Sequence, residues 1–100
     1  MIWDEDGAIR LSVMRALWGE VFPQTRAVLC RWEALSAFTI EFYIDGAPSD
    51  ELVESASCVE SEVIADFPDD FTIGHQVIRV DAPGVIPTDN RLLIFMRREL

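Results

Sequence analysis

The chain has 100 residues, half of them hydrophobic, and a net charge of −10 at neutral pH. Six phenylalanines and three tryptophans exclude a disordered chain, and the length suits a single domain, residues 1–100, with one core. No apolar run approaches the roughly 18 residues that cross a bilayer. The acidity disfavours nucleic acids and anionic membranes as partners, because both would repel the protein. It favours a basic partner, or a role in solubility alone.

The N-terminal sequence MIWDEDG is acidic, whereas a secretory signal peptide begins with basic residues. We therefore expect a cytoplasmic protein. Cys30 and Cys58 lie far apart, with neither a CxxC pair nor the spacing of a metal site. This pattern predicts two reduced thiols, which agrees with that compartment.

The first helix is predicted over residues 7–20, with Asp6 as its N-cap. Its apolar residues follow at spacings of three and four and share one face: Ile9, Val13, Ala16, Leu17 and Val21. Leu11 and Trp18 are expected to widen this face. Pro23 prevents the helix from continuing.

Two strands follow, at 26–33 and 37–45, joined by a connection short enough for a hairpin. In the first strand Val28, Cys30 and Trp32 share one side. In the second, Phe38, Ile40, Phe42 and Ile44 alternate with Thr39, Glu41, Tyr43 and Asp45. Such alternation predicts one buried face of the sheet and one face that is at least partly wet.

A second helix is predicted to begin after the N-cap Ser49 and to end at Phe67-Pro68. Its core stripe contains Leu52, Ala56, Val59 and Val63, flanked by Val53 and Ile64. Two more strands are expected near 72–81 and 91–98, separated by the loop APGVIPTDN. The loop residues Val85 and Ile86 are either a plug for a partner or a lid over the protein's own core, and we favour the lid.

The predicted order is αββαββ, and both helices end in similar sequences, VFPQ at 21–24 and DFPD at 66–69. The fold class is therefore α+β. We expect a two-layer sandwich in which two helices cover one face of a four-stranded, mainly antiparallel sheet.

Residues that support catalysis are scarce. His75 is the only histidine, so no Ser-His-Asp or Cys-His arrangement follows from spacing, and the five glycines are scattered. Asp66, Asp69 and Asp70 lack the alternate spacing and central glycine of a calcium loop. We predict that the protein is not an enzyme and uses neither a metal nor another cofactor.

Residues 49–70, here called the acidic segment, read SDELVESASCVESEVIADFPDD and contain eight acids and no basic residue. The remainder holds ten acids and eight arginines. Acids at a helix C-terminus oppose the helix dipole by about 0.3–1 kcal/mol each, so solubility or a basic partner must explain them. The candidate partner-binding residues are Asp50, Glu51, Glu54, Glu62, Asp66, Asp69 and Asp70. Glu60 falls inside the apolar arc, and we expect an arginine of the fold to pair with it.

The run SASCVESEVIADFPDD, the preceding FTIEFYIDG and the closing LLIFMRREL resemble small acidic immunity proteins of bacterial polymorphic-toxin and contact-dependent growth-inhibition systems. The resemblance implies a cytosolic inhibitor without enzymatic activity. It also implies binding to one cognate toxin, often a basic nuclease, by stoichiometric occlusion.

Two alternatives stay open. One is a small homodimeric interaction domain that uses a sheet edge or an apolar helix face, so we expect a monomer or a weak homodimer. The other is an acidic mimic of nucleic acid. Tight binding needs a desolvated anchor, and the aromatic candidates, if exposed, are Trp3, Trp18, Trp32 and Tyr43.

Overall fold

Two helices and four strands follow one another in the predicted order αββαββ, and the α+β class is confirmed. A computed structural model describes residues 5–99. The elements are α1 (Glu5–Ala16), β1 (Thr25–Ala34), β2 (Ala37–Ile44), α2 (Asp50–Ala65), β3 (Thr72–Arg79) and β4 (Arg91–Met96). Trp3 and Asp4 lie outside the described residues.

The sheet is mixed, and the prediction of a mainly antiparallel sheet was wrong in this detail. Its strand order is β3-β2-β1-β4, with β1 antiparallel to both neighbours and β2 parallel to β3. The parallel pair arises because α2 carries the chain back across the sheet, as a crossover helix does between parallel strands. The two αββ halves therefore differ: β1 and β2 form a hairpin, whereas β3 and β4 lie at opposite edges.

The main core lies between the sheet and both helices, on one face. Its buried side chains come from both helices, both central strands and the turn after α2: Ile9, Val13, Ala16, Leu17, Val28, Cys30, Phe38, Ile40, Phe42, Ala56, Val59, Val63 and Phe67. Within the layer of helices, α1 contacts β4 and α2 contacts β3. The two-layer arrangement with helices on one face is thus as expected.

The boundaries of α1 differ from the prediction. The helix already includes Asp6, so this residue is not its N-cap, and the helix ends at Ala16 rather than at residue 20. Hydrogen-bonded turns follow, and Gly19 adopts a positive φ of 79° that favours glycine after a helix. Leu11 and Trp18 project into solvent rather than widening the core face.

The second helix follows the sequence prediction closely. Ser49 Oγ accepts a hydrogen bond from the backbone N–H of Leu52 at 3.1 Å and caps the helix. The core stripe is buried as predicted, whereas the flanking residues Val53 and Ile64 are about half exposed. Before the cap, Gly46 turns the chain at a φ of 83° and donates its N–H to Asp81 Oδ1.

The helix-free face of the sheet is exposed at its edges, at Gln76 and Leu93, so the expectation of an at least partly wet face holds there, but the centre of this face is dry. Glu41 in β2 is only 1% exposed. Its carboxylate accepts from Arg91 Nε at 2.6 Å and from the Tyr43 hydroxyl at 3.0 Å, and it lies 3.6 Å from Arg31 Nε. Burial raises the pKa of Tyr43. Arginine stems and a fully paired carboxylate thus cover a surface that alternation alone would leave to water.

The loop between β3 and β4 closes the other part of this face. Ile86 packs against a small cluster formed by Ala27, Leu29 and Tyr43, while Val85 is 89% exposed. The interpretation as a lid therefore holds for Ile86 only. Buried Arg26 fastens the loop by donating to the carbonyls of Val80 and Gly84, at 2.7 and 2.9 Å. The same guanidinium forms a two-pronged ion pair with Glu99.

Replacing Glu41 by Gln is expected to lower the free energy of unfolding by about 1.5–3 kcal/mol, because two arginines lose the buried charge that pairs with them. Urea unfolding of wild type and variant measures this difference. Glu33→Gln is the control, since Glu33 pairs with the same Arg31 but is exposed. That substitution should cost less than about 1 kcal/mol. Equal losses would contradict the central role of Glu41.

The pair between Arg26 and Glu99 predicts a specific loss of stability in acid. Hydrogen bonds from Arg26 lower the pKa of Glu99 from its ordinary 4.5 to about 2. A lowered folded-state pKa stabilises the protein fully above pH 4.5, and this contribution disappears as the pH falls towards 2. The stability difference between wild type and Glu99→Gln should therefore be constant from pH 7 to 5 and shrink below pH 4.5. Thermal unfolding at each pH measures it, and a difference that stays constant down to pH 2 would contradict the role of this pair.

Candidate functional site

All seven predicted partner-binding acids are exposed, and they lie on α2 and the turn that follows it. Asp50, Glu51 and Glu54 belong to the first half of the helix. Glu62, Asp66, Asp69 and Asp70 belong to its C-terminal end and the turn. The structure thus places four of them on α2, one at its C-cap and two in the turn that follows.

The two groups of acids have different effects on the helix. Asp50 and Glu51 in the first turn suit the positive end of the helix dipole, so fold stability explains them. No basic residue occupies the last turn, where Glu62 and the C-cap Asp66 oppose the dipole. The C-terminal acids are therefore the ones for which stability offers no general explanation.

Asp66 is an exception within that group because it has a role inside the fold. Its Oδ2 accepts from the Ser12 hydroxyl at 2.6 Å and from Arg15 Nη2 at 3.3 Å, so it joins α1 to α2. The sequence prediction treated all seven acids alike. Asp66 is therefore the least suited of them to a partner, since part of its hydrogen-bonding capacity is already used.

The arginines of the described chain are used elsewhere. Six of the eight form ion pairs, and apart from Arg15 their partners all lie outside the acidic segment. Within residues 5–99, no arginine pairs with Asp50, Glu51, Glu54, Glu62, Asp69 or Asp70. Within the described residues, folding therefore pairs an arginine with Asp66 alone among the seven candidate acids and leaves the other six unpaired with arginine.

Glu60 does have a partner, but the predicted arginine was wrong. Its Oε1 lies 2.9 Å from His75 Nδ1 on the neighbouring strand β3. The His75 ring also packs edge-on against Phe42, with ring centroids 6.4 Å apart. The partner does belong to the fold, but its residue type could not be chosen from the sequence because the parallel pairing of β2 and β3 was not foreseen. These contacts give His75 a structural role beside the core.

Of the three candidate aromatic anchors that the structure describes, Trp18 is the one available at the surface. Trp32 packs edge-on against Phe38 and donates to Asp6 Oδ1, Tyr43 is buried, and Trp3 lies outside the described residues. Trp18 is 77% exposed. The sequence also missed Val53 and Ile64, which it assigned to the flank of the core. Both are half exposed on α2 and provide apolar surface close to the carboxylates.

The described residues offer no arrangement typical of a metal site or a membrane span. Within 5–99 no group of three or more His, Cys, Asp or Glu side chains is placed to hold an ion. Neither described helix combines the length and the apolarity needed to cross a bilayer. Both cysteines are free, Cys30 buried and Cys58 exposed on α2.

These features define a small α+β protein whose unneutralised carboxylates are displayed along one surface helix. The model of the MafI2 immunity protein family matches residues 6–99, and the chain therefore belongs to this family. The resemblance to small immunity proteins of polymorphic-toxin systems is thus confirmed, and membership implies an immunity function towards a cognate toxin. A search among curated proteins found no match.

The conflict between charge and helix dipole predicts opposite effects of one substitution at the two ends of α2. Glu62→Lys in the last turn should raise the free energy of unfolding by about 0.3–1 kcal/mol, because Lys suits the negative end of the dipole and removes a like-charge neighbour of Asp66. Glu51→Lys in the first turn should lower it by a similar amount. Urea unfolding at low salt measures both free energies of unfolding. If neither variant is more stable than the wild type, the interpretation is contradicted.

Proposed function

We propose that this protein neutralises one cognate bacterial toxin by stoichiometric occlusion, without catalysis, and that the outer face of α2 and the following turn form the contact surface. The observation that supports this proposal most directly is the set of six exposed carboxylates that no arginine of the described chain neutralises. A basic toxin supplies the missing positive charge. A nuclease is the toxin class that fits best, because its substrate requires a cationic groove.

The physical mechanism begins with long-range attraction. A surface of one sign raises the association rate with an oppositely charged partner, towards 10⁸–10⁹ M⁻¹s⁻¹ in strongly steered cases. Contact then places carboxylates where the toxin would bind phosphates, so substrate is excluded. The half-exposed Val53 and Ile64 add apolar surface that loses water on contact, which charge alone would not provide.

The C-terminal acids Glu62, Asp69 and Asp70 are proposed to be the main determinants of binding. Their positions oppose the helix dipole, so a partner that neutralises them also relieves a cost that the free protein carries. Asp50 and Glu51 contribute less, because the N-terminal end of the helix already stabilises their charge. We place the interaction in the bacterial cytoplasm, in keeping with two free cysteines, one of them exposed.

The first test is capture of the partner. Tagged protein is incubated at low salt with extract of the cell that produces it, and the proteins released as salt rises are identified by mass spectrometry. One basic protein in stoichiometric amount is the expected result. Many unrelated nucleic-acid-binding proteins would favour nucleic-acid mimicry, and recovery of this chain alone would make the acidic face a solubility feature.

The second test compares two double charge reversals on the captured toxin. Glu62→Lys/Asp69→Lys should reduce the association rate more than about tenfold at low salt, since steering depends on the local field. Glu5→Lys/Asp89→Lys changes the net charge equally, at acids outside the acidic segment that form no ion pair within residues 5–99, and should reduce the rate far less. Stopped-flow mixing at several salt concentrations measures both. Equal reductions would mean that only net charge matters and that α2 is not the contact surface.

A further inference from the structure

A second surface of the molecule is apolar and has no role in the core. It consists of four exposed side chains from α1 and the turn after it, Leu11, Met14, Trp18 and Val21. Met14, Trp18 and Val21, with buried Leu17, line a groove beside β4, and Ile94 and Phe95 complete its walls. We call this set the α1–β4 surface. Contiguous apolar patches of this kind are uncommon on soluble monomers and mark interaction sites.

The backbone of Trp18 is held in a hydrogen-bonded turn at this surface. The backbone N–H of Trp18 donates to the carbonyl of Arg15 at 3.2 Å, and that of Leu17 donates to Val13 at 3.0 Å. The indole is nevertheless 77% exposed, so its large apolar area contributes little to folding. An exposed tryptophan beside a groove, on a hydrogen-bonded backbone, has the properties of an interface anchor.

The charge distribution determines which partner fits this surface. Residues 5–22 and 89–99, which contain α1 and β4, together hold five acids and five arginines. Residues 23–88 hold twelve acids and three arginines. A basic protein is therefore attracted to the acidic segment. It gains no electrostatic attraction from the α1–β4 surface. A neutral apolar surface is instead compatible with a second copy of itself.

We infer that two copies of this chain associate through the α1–β4 surface, with Trp18 of each copy packed against the groove of the other. Because α2 packs over β3, at the edge of the sheet opposite β4, and meets the turn after α1 through the buried Ser55, the outward-facing acids of α2 stay free in both copies. The contact is made by side chains rather than by strand pairing, because β4 is short and its register with β1 is irregular. The inference does not depend on the proposed function.

Sedimentation velocity from micromolar to millimolar protein tests this inference. The wild-type mass should rise with concentration from 11.3 kDa towards twice that value. Trp18→Glu should raise the dimer dissociation constant more than about tenfold, since it removes the anchor and places charge in the contact. Leu35→Glu is the matched control, because Leu35 is 88% exposed in the β1–β2 turn. This substitution adds the same charge at a position away from the α1–β4 surface.

Three results would overturn the inference. One is a wild-type mass that stays at 11.3 kDa throughout. Another is equal association of the Trp18→Glu and Leu35→Glu proteins, and the third is dissociation of the wild-type dimer by added salt. Salt should instead strengthen the dimer by screening the charge of −10 on each copy, whereas it should weaken a complex with a basic toxin. Met14→Glu repeats the test at a neighbouring position, so that a folding defect of one variant leaves the other to decide.

Discussion

The burial of Glu41 on the helix-free face of the sheet determines where several arginines of the fold are used. A carboxylate that is removed from water must be paired, and Glu41 lies within reach of two guanidinium groups, from β1 and from β4. The edge strand β4 is thereby held to the central hairpin by charge as well as by its backbone ladder. The loop after β3 and the C-terminal residues are attached in a similar way, by hydrogen bonds and ion pairs of Arg26, Arg79 and Arg97.

This use of arginine leaves α2 to be stabilised by other means. The helix is held by its cap, by its stripe of buried side chains, by the contact of Ser55 with Glu20 in the turn after α1, and by the contact of Asp66 with α1. Packing of an amphipathic face supplies most of the stability of a protein helix, so α2 tolerates acids at its C-terminal end. A stable fold and a strongly charged surface thus coexist because the apolar face of α2 and its outer face perform separate tasks.

The sequence was sufficient for the features that depend on local patterns. Period-two alternation located Phe38, Ile40 and Phe42 on the buried side of β2, and the spacing of Leu52, Ala56 and Val59 located the core face of α2. Ser49 was recognised as a cap from its position alone. The seven acids were found as exposed residues on one element for the same reason, since a helical wheel requires no knowledge of tertiary structure.

Features that depend on distant parts of the chain could not be predicted in this way. Alternation placed Glu41 on a wet face, because the arginine that covers it lies 50 residues further along the chain. The partner of Glu60 depends on the parallel pairing of β2 with β3, which no local sequence pattern predicts. Asp66 is equivalent to the neighbouring acids in sequence and differs from them only through its contacts with α1. Trp18 was counted with the core because α1 was expected to continue past Ala16.

The two cysteines differ in a way that bears on how this protein can be studied. Cys30 is buried, and desolvation raises its pKa to about 12, so hardly any of it is the reactive thiolate near neutral pH. Cys58 is exposed and follows Glu54 and precedes Glu62 by four residues each, one helical turn in either direction. A maleimide dye or a nitroxide therefore attaches selectively to the centre of the acidic face in the native sequence. A label on Cys58 therefore reports the binding of a partner to α2 without an engineered cysteine.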